Sequence, residues 1–387
     1  MSNTRAYMDW NATAPLLDEA REAFLRLALM EGNPSSVHKE GRAVRAEIES
    51  ARRSIALALN ARPASVVFTS GATEAANLAL TPDYRMGRAA LTIGRLYVSG
   101  IEHKAIFEGG RFPASAVSVF PVTGDGVADL AALDAMLAGH DKSSGLPMVA
   151  LMLANNETGV IQPVREAASI VHRHGGVLVV DAVQAFGRIA LDIEALGADF
   201  LIVSSHKIGG PKGAGALVAR GETMMPSALI RGGGQEKGHR SGTENAASIT
   251  GFGAAAQAAA SDIDTRTATL AARRDRLEAA MLDIVPGIVI HGRLVDRLPN
   301  TTFFSLDGMK SETGQIAFDL EGVALSAGSA CSSGKVGESH VLMAMGFDPR
   351  MGALRISFGH STSETDMERT IAAFRRIAGR LTKADAA

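Results

Sequence analysis

The chain has 387 residues, 46% hydrophobic and 21% charged, enough apolar material for two or three domains or for one large α/β domain with an appendage. Its net charge of −2 gives a nucleic acid or an anionic membrane nothing to bind, and no apolar run approaches the ~18 residues of a membrane span. The opening MSNTRAYMDWNATAP lacks the basic and apolar regions of a secretory signal, and one cysteine excludes an intramolecular disulfide, so a reducing, cytoplasmic setting is expected.

In chain order, the first strong helical pattern is HKEGRAVRAEIESARRSIALALNA (38–61), whose packing partner the pattern leaves open. Five apolar runs then read as buried strands: SVVFTSG (65–71), RLYVSGIEH (95–103), MVALMLANNETG (148–159), GVLVVDAVQ (176–184) and FLIVSSHK (200–207). Helical patterns such as TEAANLAL (73–80) and VREAASIVHRHG (164–175) separate them. This alternation predicts an α/β fold, a mostly parallel sheet with helices on both faces. An alanine-rich stretch over 245–285 suits one long helix or two, linking to a smaller domain. The short runs GIVIHG, TTFFSLDG, GVALSAG and ALRISFG, mixed with helices, give that domain an α+β pattern. The expected division is residues 1–15 joining the small domain, 16–260 as the large α/β domain and 261–387 as the small α+β domain.

Ligands of open parallel sheets bind outside the carboxyl ends of the strands, and here those ends carry polar residues. SVVFTSGATEAANLAL is strand, glycine turn and helix, with Thr73 expected at or near the N-cap, an arrangement that suits a phosphate or is an ordinary capped helix. GVLVVDAVQ ends on Asp181, with Gln184 three residues on, and a carboxylate there needs a partner. FLIVSSHK ends on Ser204, Ser205, His206 and Lys207, where a lysine alone could simply snorkel to solvent. Together, a phosphate cradle, an aspartate and a lysine are what pyridoxal phosphate requires: the amine bonds its aldehyde, and the carboxylate keeps its ring nitrogen protonated. His103 and Asn155 fall at equivalent strand ends, where an imidazole can stack on the ring and an amide can bond its phenolic oxygen. The only cysteine, Cys331, lies in SAGSACSSGKVGESH (326–340), the composition of a mobile loop, and is either incidental or a reagent.

At these residues the sequence resembles the NifS-like cysteine desulfurases, in the class V aminotransferase family of fold-type I pyridoxal-phosphate enzymes. The matching segments run in order along nearly the whole chain: YMDWNATAP, GNPSSVHKEGR, FTSGATEAANLAL, EHKAI, NNETGVIQP, DAVQAFG, SSHKIGGPKGAGAL, RSGTEN, SAGSACSSG and ALRISFG. The resemblance implies a large domain with a mostly parallel, seven-stranded sheet covered by helices, and a smaller α+β domain. It implies that Lys207 carries the cofactor, Asp181 pairs with the ring nitrogen, and His103 stacks on the ring. Asn155 and Gln184 would contact the ring oxygen, and Ala72, Thr73, Ser204 and His206 the phosphate. Thr243 would complete the phosphate site of a partner subunit in a homodimer, and Arg355, with Asn155, would bind the substrate carboxylate.

The implied reaction turns L-cysteine into L-alanine, with Lys207 moving the Cα proton, His103 the thiol proton, and Cys331 taking the sulfur as a persulfide for an acceptor, such as an iron–sulfur scaffold protein. Cys331 is also implied as a transient iron–sulfur ligand, with no other metal ligand. Ser and Gly around it lower the cost of moving between substrate and acceptor. Trp10 stands where the family usually has tyrosine, and His360 where an arginine is common. The chain stops at RLTKADAA, without the longer tail by which some relatives dock a scaffold. The rivals are a class V aminotransferase, which needs no thiol at 331, a selenocysteine lyase, which shares nearly every residue named, and a non-catalytic sulfur-relay or scaffold partner, against which the intact set Lys207, Asp181, His103 and Arg355 speaks.

Overall fold

The structure, a computed structural model, describes residues 5–328, 338–348 and 350–384, with side chains as far as 381; Cys331 lies outside the described residues. Its large sheet is built from strands that are apolar on both faces. In Leu146–Met152, Val177–Asp181 and Phe200–Ser204, the alternate residues Val149, Leu151, Leu178, Val180, Leu201 and Val203 enter one core cluster. Their neighbours Met148, Ala150, Val177, Val179, Phe200 and Ile202 enter another. Burial of both faces is why these segments read as continuous hydrophobic runs, as in parallel sheets covered by helices.

These three strands pair in parallel, and Leu146–Met152 also pairs in parallel with Ala89–Ser99, which holds Val117–Phe120 on its other side. Gly215–Ala219 runs antiparallel beside Phe200–Ser204, and Val66–Thr69 follows it. These seven strands correspond to the expected sheet; Asp83–Met86 and Met224–Pro226 extend it to nine among the described residues. Residues 215–219 are not among the five strand-like runs of the sequence. The structure makes them a strand because the chain folds back after Lys207, the Ser205 N–H bonding Ala214 O at 3.1 Å. Gly215 is required there, since a Cβ would lie 2.7 Å from the backbone of Gly71 on the neighbouring turn.

The helix predicted over 38–61 is Lys39–Ala58, and its buried stripe Val44, Ile48, Ala51 and Ile55 packs on the helix Ala246–Ala260, beside the large sheet. The alanine-rich stretch is two helices, Ala246–Ala260 and Ile263–Ile284, broken at Asp262, whose φ of 49° is left-handed and cannot continue a helix. Beyond the break lies an antiparallel sheet in the order Val289–Ile290, Thr301–Ser305, Leu354–Ser357, Ser326–Ala327. Ala6–Tyr7 returns from the N-terminus to pair in parallel with Val323–Ala324. A core of Met8, Phe304, Phe318, Phe358 and Phe374 supports this region. No helix among the described residues is long and apolar enough to cross a membrane.

One buried ion pair ties the strand Val66–Thr69 to a distant loop. Arg52 meets Glu236 through two hydrogen bonds of 2.7 and 2.8 Å, and the same carboxylate accepts the Phe68 N–H at 2.8 Å. Removing Glu236 leaves the Arg52 guanidinium buried with only Glu49, a half-exposed carboxylate 3.2 Å from its Nε, and takes the acceptor from the Phe68 N–H. Glu236→Ala is therefore expected to lower stability by about 3–5 kcal/mol, read as a shifted denaturant midpoint. A shift worth less than about 1 kcal/mol would show that the pair is not what holds this strand.

Candidate active site

The carboxyl ends of the parallel strands open onto one cavity of about 570 Å³. At one end of it, Ser70 and Gly71 join the strand Val66–Thr69 to the helix Ala72–Ala79. Gly71, rather than Thr73, is the N-cap residue, and no side chain caps the helix; Thr73 is its second residue. The carboxylate of Glu74 closes the turn instead, accepting the Ser70 N–H at 2.8 Å and Arg240 Nε at 3.0 Å. Ala72 and Thr73 both border the cavity. First-turn N–H groups have no intrahelical acceptor, so this end suits an anion.

Ser204 and His206 border the cavity at the end of Phe200–Ser204. Burial, then the positive charges of Lys207, Lys212 and Arg188, bring the His206 ring down to about 4, so it is neutral at physiological pH. Lys207 reaches toward the N-terminal segment, its Nζ donating to Asn11 O at 2.6 Å and Ala12 O at 2.8 Å. Asp181 ends its strand against the same cavity, one oxygen accepting the Val183 N–H at 2.9 Å. Burial raises this carboxyl above its ordinary value, outweighing that hydrogen bond and the charges of His103 and Lys207. Such a group gains from a cationic partner inside the cavity. His103 caps the short helix Lys104–Phe107, its Nδ1 accepting the Ala105 N–H at 3.2 Å, so the neutral ring carries its proton on Nε2.

Gln184 borders the cavity too; its Nε2 donates to Asn11 O at 3.1 Å, and its buried Oε1 has no partner among the described residues. An anion-suited helix end, a raised carboxyl, an orphaned amide oxygen and a lysine amine form the donor set for a phosphorylated pyridine aldehyde. The residues present fit pyridoxal phosphate. Among the described residues, no group of three or more His, Cys, Asp or Glu could hold a metal ion.

Three expected residues stand apart from the cavity wall. Asn155 is fully buried, and it is Asn156 that borders the cavity. The Asn155 oxygen accepts from the N–H groups of Glu157 and Thr158, and its Nδ2 donates to Ile101 O at 3.0 Å. Its amide thus shapes the NNETG turn, one residue before the cavity residue Asn156. Arg355 is 2% exposed and sits one layer behind the wall, with one arm on Asp9 at 2.8 Å and the other on Asn156 O at 2.8 Å. Its Nε is buried with no partner among the described residues. Thr243 is exposed, three residues beyond Arg240, and does not border this chain's cavity.

Sequence reading missed several residues here. Asn11 and Ala12 supply the acceptors for Lys207, Asp9 holds Arg355, and Glu157 links the NNETG turn to Ser339. All lie inside quoted motifs, but their partners are distant in the chain. Fully buried Glu102 is another: it accepts the Met152 N–H at 2.6 Å, and burial raises its carboxyl well above the ordinary value. The departures Trp10 and His360 meet edge to face, with ring centroids 5.3 Å apart.

A sequence model of the family described as Aminotransferase class-V matches residues 6–370. The chain belongs to this family. It is 39% identical to the cysteine desulfurase of Cereibacter sphaeroides over 377 residues, covering 95% of this chain and 94% of that protein. It is 37% identical to the IscS-like cysteine desulfurase of Mycobacterium tuberculosis over 372 residues, 94% of this chain and 93% of the other. Among solved structures it is similar to the NifS-like protein of Rickettsia africae, with a TM-score of 0.85 and 33% identity over 96% of this chain and 99% of that one. It also matches SspA in complex with cysteine, with a TM-score of 0.73 and 25% identity over 92% of this chain and 99% of that one.

Proposed function

We propose that the chain is a cysteine desulfurase that converts L-cysteine to L-alanine and retains the sulfur on Cys331 as a persulfide. It is an enzyme, and its relatives of this name match it along nearly their whole length. The observation that carries the reading is the meeting of Lys207, Asp181 and His103 at three strand ends around one cavity.

Pyridoxal phosphate, when bound, supplies an electron sink for the pair left at the substrate Cα. Lys207 would hold it through Nζ, Asp181 would keep the ring nitrogen protonated, and Gln184 would accept from the ring hydroxyl. Ala72, Thr73, Ser204 and His206 would hold the phosphate, joined by Thr243 from the partner of a homodimer. Once the amine of cysteine has taken its place, Lys207 Nζ would be free to remove the Cα proton of cysteine and later to return a proton to the product. His103 carries the proton of the substrate thiol. The Cys331 thiolate attacks the substrate sulfur; the Cβ–S bond breaks, the sulfur stays on Cys331, and the organic part leaves as alanine once protonated. The persulfide then passes to an acceptor, an iron–sulfur scaffold in the reading we favour, where Cys331 serves as a transient ligand.

Arg355 clamps the substrate carboxylate by exchanging one carboxylate, Asp9, for another. Arg355→Ala is expected to raise KM for cysteine about 10- to 100-fold, the worth of a hydrogen bond to a charged group, with cofactor loading unchanged. An unchanged KM would leave Arg355 as a purely structural partner of Asp9.

The reading is tested by incubating the protein, loaded with pyridoxal phosphate, with L-cysteine and a reductant. Equimolar alanine and sulfide are expected. Transfer of the amino group to a keto acid without sulfide would mean an aminotransferase instead. Turnover on selenocysteine but not on cysteine would mean a selenocysteine lyase, and cofactor binding without alanine a relay or scaffold partner.

A further inference from the structure

The segment 329–337 that carries Cys331 leaves the described structure at Gly328 and re-enters it at Glu338. Both stems come to one carboxylate, that of Glu157, which is 3% exposed in the NNETG turn next to the cavity residue Asn156. On the far stem, Ser339 Oγ donates to Glu157 Oε2 at 2.6 Å. On the near stem, Gly328 packs so tightly that a Cβ would lie 2.7 Å from the same Oε2 and 2.5 Å from Phe303 Cζ. Two further contacts hold the far stem beside the cavity residues His103 and Met152. His340 Nε2 lies 2.8 Å from Glu102 O, one residue before His103. Val341, Leu342 and Met345 form an apolar cluster with Ile101, Met152 and Phe303.

We propose that Glu157 is a positioning residue for the sulfur-transfer step: its buried carboxylate seats both ends of the thiol-bearing segment on the NNETG turn. The near stem is the short tether. Cys331 is three residues from Gly328, a reach of at most about 10–11 Å of backbone, whereas it is eight residues from Ser339. The seat of Gly328 against Glu157 and Phe303 therefore limits where the thiol can go, both for the substrate sulfur and for an acceptor. A short hydrogen bond from a hydroxyl to a buried carboxylate is charge-assisted and is worth more than a neutral one. Glu157 does not touch the reacting atoms in this reading; it acts through Gly328 and Ser339.

The inference rests on the desulfurase reading, but its test separates the two. Because Cys331 is the only cysteine, a nitroxide spin label can be attached there alone, and its mobility needs no turnover. In the cofactor-loaded protein, Glu157→Ala and Gly328→Ala are expected to narrow the label's spectrum relative to the wild-type background. In the unlabelled variants, single-turnover persulfide formation, read as the mass gain of one sulfur on Cys331, is expected to slow about 10- to 100-fold. Cofactor absorbance and the affinity for cysteine should be unchanged, and Glu157→Gln, which keeps an acceptor oxygen, should recover part of the rate. Wild-type label mobility and a persulfide rate within about twofold of wild type in both variants would overturn the proposal. So would parallel loss of cofactor loading in Glu157→Ala, Glu157→Gln and Ser339→Ala, because the turn would then support the whole site rather than the thiol segment. Failure of the wild type to form alanine, with the label response intact, would sink the desulfurase reading alone.

Discussion

Cys331→Ala is expected to lower alanine formation from L-cysteine by about 10³-fold or more while leaving the absorbance of bound pyridoxal phosphate as in the wild type. The size of the effect follows from what the thiol does. It is the group that takes the substrate sulfur, and removing a nucleophile forfeits a covalent route rather than one hydrogen bond. The chain has no second cysteine that could stand in for it. A free thiol with a pKa near ~8.5 is only a few per cent ionised at neutral pH, so the wild-type rate also depends on how the site helps that thiol to ionise. Alanine and sulfide released by Cys331→Ala at the wild-type rate would remove the persulfide step. The measurement is product formation in the presence of a reductant, with absorbance recorded on the same sample.

The second large effect is expected at Lys207. Lys207→Ala should abolish turnover, a loss beyond about 10³-fold, because one amine both holds the cofactor and moves the Cα proton. In the cofactor-free protein the variant also takes from Ala12 O the donor that reaches it at 2.8 Å, whereas Asn11 O keeps Gln184 Nε2 at 3.1 Å. A partly buried acceptor left in this way costs about 1–3 kcal/mol, so the N-terminal segment should loosen as well. A chemical readout isolates the first role: borohydride reduction of the loaded wild type should add the cofactor's mass to the peptide containing Lys207, and no peptide of the variant should gain it. Mass added to another lysine would move the role away from Lys207.

The residues legible in the sequence share one property: their meaning is local. Asp181, Lys207 and His103 each follow an apolar run within a few positions, so a strand and its polar end can be read from one short window. The rule that ligands gather at the carboxyl ends of parallel strands then brings them together without coordinates. The resemblance supplied roles for Gln184, Arg355, Thr243 and Cys331 that no local window carries. Thr73, expected at or near the N-cap, is the second residue of the helix, and Gly71 takes the cap position, where a glycine is as compatible with that turn as a threonine.

Composition and pattern by themselves determined that this is an α/β chain with alternating strands and helices, a polar residue at the end of each central strand, and one cysteine among serines and glycines. Only the tertiary structure decided which of those polar residues face the cavity. Asn155 and Asn156 are neighbours in a symmetric-looking motif, yet one is spent on the turn and the other borders the cavity. The strand Gly215–Ala219 became visible only through its antiparallel partners. The pairs Asp9–Arg355, Arg52–Glu236 and Glu157–Ser339 join residues separated by 346, 184 and 182 positions. The physical reason is the range of the forces involved. Hydrophobic periodicity is set by neighbours along the chain, whereas a buried charge is satisfied by whichever polar group the completed fold brings within about 3 Å.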